Sequence, residues 1–248
     1  YFSFLFTINS VLMNGLYDLR KSDMQEHDLC FYLDVADFLK DRDVFWDVLS
    51  LDEQNRAVGY CVEDAKQEFI VSRGVLRFII AHFQECNPRK VCFQTNDWGK
   101  LEIKSDSFFF NVSHSRGKVM VGVSSRGDIG VDIECQRERD SYRSISERFF
   151  SSEEKQWLKR EKSMQLERFY DIWVAKEAVS KALGLGMALP LSAYSVVSDT
   201  RHFSIEVPSN KRFSTSTTWY LKHVSPFEGY SACMASPFEL TAIKFFQL

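Results

Sequence analysis

The sequence predicts an α+β fold made of two similar halves. Two observations predict it. Helical and strand-like apolar spacings occur in both the first and the second part of the 248 residues, without regular alternation of strand and helix. A polar, turn-rich run, Ser124-Ser125-Arg126-Gly127-Asp128, divides the two parts.

The elements follow in order. Asp28 to Val35 mixes apolar and β-prone residues and reads as a first strand. A helix start lies within Val44 to Ala57, where Ser50 with Glu53 three residues on forms a capping-box pattern. The stretch from Glu63 to Phe83 is an amphipathic helix, with Phe69, Ile70, Leu76, Ile79, Ile80 and Phe83 at helical spacing. Arg73 and Arg77, four apart, share one of its faces. Asn87-Pro88 ends it, Val91 to Phe93 reads as a short strand, and Asn96 to Lys100 as a turn. Phe108 to Val112 and Val119 to Val123 are strands flanking Ser113 to Gly117. The second part opens with a strand from Ile129 to Cys135. Helices then run from Ser151 to Arg160, with Ser151 and Glu154 as a second capping box, and from Leu166 to Leu183, closed by Gly184. From Tyr194 onward YSVVS, FSIEV, TTWYLKHV and YSACMA are strand-like.

Composition excludes several classes. With 45% hydrophobic and 26% charged residues, the chain is ordinary for a soluble globular protein. A formal net charge of −3 gives no basic field to draw in nucleic acid. No apolar run approaches the ~20 residues of a membrane span, and no signal peptide is expected. Residues 1–12 are given no function. The six cysteines form no CxxC and no cluster with histidines, so reduced, mostly buried thiols and a cytoplasmic location are expected.

Three segments carry chemistry. In Gly130-Val131-Asp132-Ile133-Glu134, Asp132 and Glu134 lie two apart on a strand and share a face. Two such carboxylates repel unless a proton or cation lies between them, and hard oxygen ligands suit Mg²⁺. Taken alone, the pattern is more often the solvated face of an edge strand. In Trp173 to Lys181, Trp173, Glu177 and Lys181 form one helical stripe with Lys176 beside it. An isolated Glu–Lys pair of this kind is usually an ordinary helix pair. Asn111-Val112-Ser113-His114-Ser115 offers hydroxyls and an imidazole that could meet phosphate oxygens, or a purely structural turn.

In this order and at these gaps, NVSHS, GVDIE and WVAKEAVSK resemble the Sfp-type 4′-phosphopantetheinyl transferase family. Phe69 to Arg77, Trp98-Gly99-Lys100, Glu147 to Glu154 and Gly229-Tyr230 extend the likeness over roughly residues 28–240. Leu101 departs from it, standing where the family's turn has proline. The resemblance implies a pseudo-twofold pair of α+β halves, 13–125 and 126–248, with the active site in the cleft between them and the metal site in the second. It implies transfer of the phosphopantetheine arm of coenzyme A to a serine of an apo acyl or peptidyl carrier protein, releasing 3′,5′-ADP. Asp132, Glu134 and Glu177 would hold Mg²⁺, with Glu177 also the general base and Lys181 on the attacked phosphate. Arg73, Lys100, Ser113, His114, Asp132, Lys176 and Lys181 would contact coenzyme A, with Arg56 a further candidate. Phe149 and Phe150 would meet the carrier. The longer-type likeness points to carriers of secondary metabolism, such as non-ribosomal peptide and polyketide synthases, and to a monomer.

Two rivals remain at this point. A metal-dependent nuclease also uses Asp, Glu and Lys, but typically with Glu and Lys two apart on a strand; here Glu177 and Lys181 are four apart on a helix. A coenzyme A- or carrier-binding protein without activity would lack metal-dependent turnover.

Overall fold

A computed structural model describes residues 16, 19, 21–104, 107–138, 141–160, 162–197, 202–205 and 217–248. Its helices are α1 Lys21–Glu26, α2 Arg42–Val48, α3 Leu51–Val58, α4 Glu63–Gln84, α5 Tyr142–Phe149, α6 Ser152–Lys159 and α7 Gln165–Leu183. Its strands are β1 Asp28–Asp34, β2 Phe93–Thr95, β3 Leu101–Ile103, β4 Phe109–Ser115, β5 Lys118–Ser124, β6 Gly130–Cys135, β7 His202–Ile205, β8 Thr217–Val224, β9 Tyr230–Ser236 and β10 Ile243–Gln247. The α+β expectation holds.

The first sheet runs β10-β1-β5-β4 and the second β6-β9-β8-β7, with β2–β3 a separate hairpin. Among the described residues only β10 runs parallel to its neighbour, pairing Asp28 with Ile243 and Tyr32 with Gln247. The C-terminal strand therefore completes the first sheet, and Leu248 enters that core with Leu29, Phe31, Ile70 and Val121. A boundary that gives all of 126–248 to the second half does not describe this strand. Helix α4 covers the first sheet and α7 packs on β6 and β9. The sheets meet through Cys30 and Met120 against Val131, Ile133, Ala232 and Met234.

Both capping boxes form as the spacing predicts. Ser50 accepts from Glu53 N at the start of α3, and Ser151 from Glu154 N at the start of α6. Leu49 and Ser50 separate α2 from α3. At Ser113 to Ser115 the structure departs from the expected loop: β4 continues through Ser115, and the turn is Arg116-Gly117, both at positive φ. Tyr194 to Val197 forms no strand, while Ser198 and residues 206–207 lie outside the described residues, as do 1–12. All six cysteines are free, but only Cys30 and Cys233 are buried, contrary to the mostly buried set expected. No helix among the described residues is long and apolar enough to cross a membrane.

Gly130 fixes how closely α7 approaches β6. A Cβ there would sit 1.9 Å from Ala178 O and 2.5 Å from Ala182 N. Backbone on both sides leaves no flexible atom to give way. We expect Gly130→Ala to destabilise the protein by about 1–3 kcal/mol, the usual cost of overpacking, read from urea denaturation. Wild-type stability in that variant would mean that α7 is free to ride outward.

Candidate active site

The site begins where the edge strands of the two sheets meet. β4 and β6 run side by side, and alternate β4 side chains accept from alternate β6 amides. Asn111 Oδ1 accepts from Val131 N at 2.9 Å, Ser113 Oγ from Ile133 N at 3.4 Å and Ser115 Oγ from Cys135 N at 3.3 Å. The row works because strand side chains alternate with period two and an edge strand leaves alternate amides without a ladder partner.

The same hydroxyls orient the acidic pair. Ser113 Oγ donates to Asp132 Oδ1 at 2.9 Å and Ser115 Oγ donates to Glu134 Oε2 at 3.0 Å. From α7, Lys181 Nζ donates to Asp132 Oδ1 at 2.6 Å and to Ser113 Oγ at 2.8 Å. Asp132 is only 3% exposed, and its Oδ2 is buried without a hydrogen-bond partner. A buried carboxylate oxygen left bare is costly, so a ligand for it is favourable.

Glu177 stands one turn before Lys181 on α7. Burial pushes its carboxyl up to about 7; the Asp132 charge adds to this, Lys181 opposes it, and Glu134 adds a further push. Three carboxylates thus feel one another across β6 and α7. Among the described residues no group of three or more His, Cys, Asp or Glu side chains is already gathered as a metal cage. The bare Asp132 Oδ2 and the acid-rich surroundings nonetheless fit a hard cation such as Mg²⁺.

His114 is half exposed, and its Nδ1 meets Glu68 Oε1. Burial alone would raise Glu68, but hydrogen bonds from His114 and the Gly117 N–H, with the His114 charge, hold its carboxyl below the usual range. Arg73 pairs with Glu53 at 3.3 Å and lies over the Phe69 and Phe93 rings, while Arg56 also lies over the Phe69 ring. Lys100 Nζ reaches Asp128 Oδ1 at 3.3 Å and Ala182 O at 2.8 Å, beside an open cleft also lined by Leu101, Phe108 and Phe110.

Three expectations are corrected. Ser113 does not face solvent: its one proton goes to Asp132, and it accepts from Lys181 and Ile133 N, so its hydroxyl is fully used within the protein. Lys176 is fully buried on the opposite side of α7 from the site. Its Nζ meets Glu154 Oε2 at 2.9 Å, Leu191 O at 2.6 Å and Tyr194 O at 2.8 Å. One residue along a helix turns the side chain by about 100°, which separates Lys176 from Glu177. Phe150 is buried and stacks on Phe169 at 5.4 Å, so it presents no surface to a partner; Phe149 is half-buried against Trp173.

Sequence reasoning missed Asn111 and Ser115 as members of the row, and Glu68 as the holder of His114. The two-residue spacing of Asn111, Ser113 and Ser115 was the signal available for the first two.

Acidic side chains and a lysine drawn together where two sheets meet are the makings of an enzyme acting on a charged group. Residues 128–235 match the family model described as the 4′-phosphopantetheinyl transferase superfamily. The 4′-phosphopantetheinyl transferase ffp of Bacillus subtilis is 31% identical over 183 residues, covering 72% of this chain and 78% of that protein. The transferase gsp of Aneurinibacillus migulanus is 29% identical, covering 77% of each. Sfp of Bacillus subtilis (strain 168) is 26% identical, covering 83% of this chain and 91% of Sfp. The chain belongs to the 4′-phosphopantetheinyl transferase superfamily. It is accordingly a transferase that moves the phosphopantetheine arm of coenzyme A to apo carrier proteins.

Proposed function

We propose that transfer is Mg²⁺-dependent and takes place where β4, β6 and α7 meet. The observation that supports this best is the Ser113–Asp132–Lys181 cluster with its one bare, buried carboxylate oxygen. Asp132, Glu134 and Glu177 would hold the ion. Bound there, Mg²⁺ would supply Lewis-acid stabilisation of the pyrophosphate and a template for in-line attack.

The chain's own residues do the rest. The carrier serine oxygen bonds to the β-phosphorus of coenzyme A, the bond from that phosphorus to the bridging oxygen breaks, and 3′,5′-ADP leaves. Glu177, freed of its own proton when the ion binds, takes the serine proton. Lys181, 29% exposed, swings its ammonium from Asp132 toward the phosphoryl oxygens as negative charge grows there. His114, Lys100 and Arg73, with Arg56 nearby, face the nucleotide from the first half. Phe149 remains the proposed carrier contact. The carrier belongs to non-ribosomal peptide or polyketide synthesis, and the enzyme is a cytoplasmic monomer. Its halves are residues 13–125 and 126–242, with β10 returned to the first.

Intact mass spectrometry of an apo carrier incubated with coenzyme A and Mg²⁺ tests the reaction. We expect the carrier to gain one phosphopantetheine arm and the gain to vanish with EDTA. A gain that survives EDTA would remove the metal; no gain on any carrier, with coenzyme A bound, would leave a binding protein.

The metal site has its own pH signature. The folded state holds the Glu177 proton more tightly than the unfolded chain, so metal-free stability falls as pH rises from the usual glutamate range toward about 7. Mg²⁺ must displace that proton. We expect its thermal stabilisation to be larger at about pH 8 than at about pH 6, and to be lost in Glu177→Gln. Equal stabilisation at both values would take Glu177 out of the ligand set.

A further inference from the structure

Helix α7 ends in a left-handed Gly184 at φ 69°. Gly184 N donates to Ser180 O and Lys181 O, and Leu185 N also donates to Ser180 O. Such a local cap leaves later carbonyls to find donors elsewhere. Two of these donors come from the β2–β3 hairpin. Lys100 Nζ donates to Ala182 O at 2.8 Å and Asn96 Nδ2 donates to Gly184 O at 2.8 Å. The lysine also places positive charge at the negative end of the helix dipole.

Asn96 uses both ends of its amide. Its Oδ1 accepts from Trp98 N at 3.0 Å and Lys100 N at 2.9 Å, shaping the turn, while Nδ2 reaches across to α7. A flipped amide would set its NH₂ against two N–H donors, so the network fixes the orientation. Glycine at 184 makes the contact possible: a Cβ there would sit 2.7 Å from Asn96 Nδ2 and 3.0 Å from Lys100 Cδ.

We infer that the β2–β3 hairpin is a clip on the end of α7 and that Asn96 is a positioning residue for transfer, holding the turn that carries Lys181 against Asp132. The inference rests on the transferase reading above. Asn96 touches no reacting atom; it acts through the helix end.

Asn96→Asp separates the two uses of the side chain. Its oxygen still accepts from Trp98 N and Lys100 N, but an oxygen replaces the donor facing Gly184 O. We expect kcat to fall about tenfold, in the range seen when a supporting hydrogen bond to a site is lost. KM for coenzyme A should stay within about twofold. Amide exchange at Gly184 and Leu185 should quicken while the denaturation midpoint barely moves. Wild-type kcat, a change confined to KM, or unchanged exchange at those amides would each overturn the clip. If the wild-type protein itself modifies no carrier, the transferase reading fails, and the exchange comparison still decides whether the hairpin holds the helix end.

Discussion

Replacing Asp132 with asparagine should lower kcat for carrier modification by on the order of 10²–10³-fold, the range for removing one preorganised electrostatic group. The change conserves shape, so Ser113 and Lys181 keep an acceptor at Oδ1. It removes the charge that a cation and Lys181 both need, and puts an NH₂ where the bare oxygen was. The variant should fold. Glu177 loses a like-charged neighbour, so its carboxyl should move back down toward the ordinary range. Single-turnover transfer, with thermal melts as a control, measures both effects. Transfer within about tenfold of wild type in a folded variant would show that the Asp132 charge is not essential.

The largest effect on stability is expected at Lys176. Removing one partner of a buried ion pair strands the other charge, at a cost of about 3–5 kcal/mol. Here the pair is closed on all sides. Glu154 also accepts from Ser151 N at 2.7 Å and from Val196 N at 2.7 Å, so it joins α6, α7 and the segment at Val196. The Lys176 ammonium lies 4.4 Å from the Tyr194 ring. Burial pulls its pKa down, with Glu154 working against that. Lys176→Met should lower the unfolding free energy by that amount in urea. Adding Glu154→Gln should return part of the loss, because the amide carries no stranded charge. A loss below about 1 kcal/mol for Lys176→Met would mean that Glu154 protonates or finds water at little cost.

What the sequence made legible was local. Capping boxes at Ser50 and Ser151 and the glycine end at Gly184 depend on neighbours three or four residues away, and they formed as spacing predicts. The stripe of Glu177 and Lys181 was equally readable, because helical period alone puts them on one face. Two adjacent residues show where reading stopped. Lys176 and Glu177 both looked like site residues, yet which of them faces the core depends on α6 and the chain at Leu191, distant in sequence. Phe150 failed for the same reason: a phenylalanine before a helix looks like surface until Phe169 covers it. Ser113 to Ser115 looked like a loop because serine and glycine mark turns, but β6 supplied amides that turn the hydroxyls into strand partners. α5, β3 and β10 carried too little periodicity to be seen before their neighbours were in place.

The return of β10 to lie against β1 bears on how the molecule comes into being. As the chain leaves the ribosome, β1, β5 and α4 can collapse early, but the outer side of β1 stays unpaired until β10 has been made. That edge is a risk for pairing with the wrong partner while synthesis continues. The strands of the second sheet are made in the interval, so pairing β10 with β1 closes a loop that contains them. Closing so long a loop late makes folding slow, and it makes the two halves mature together.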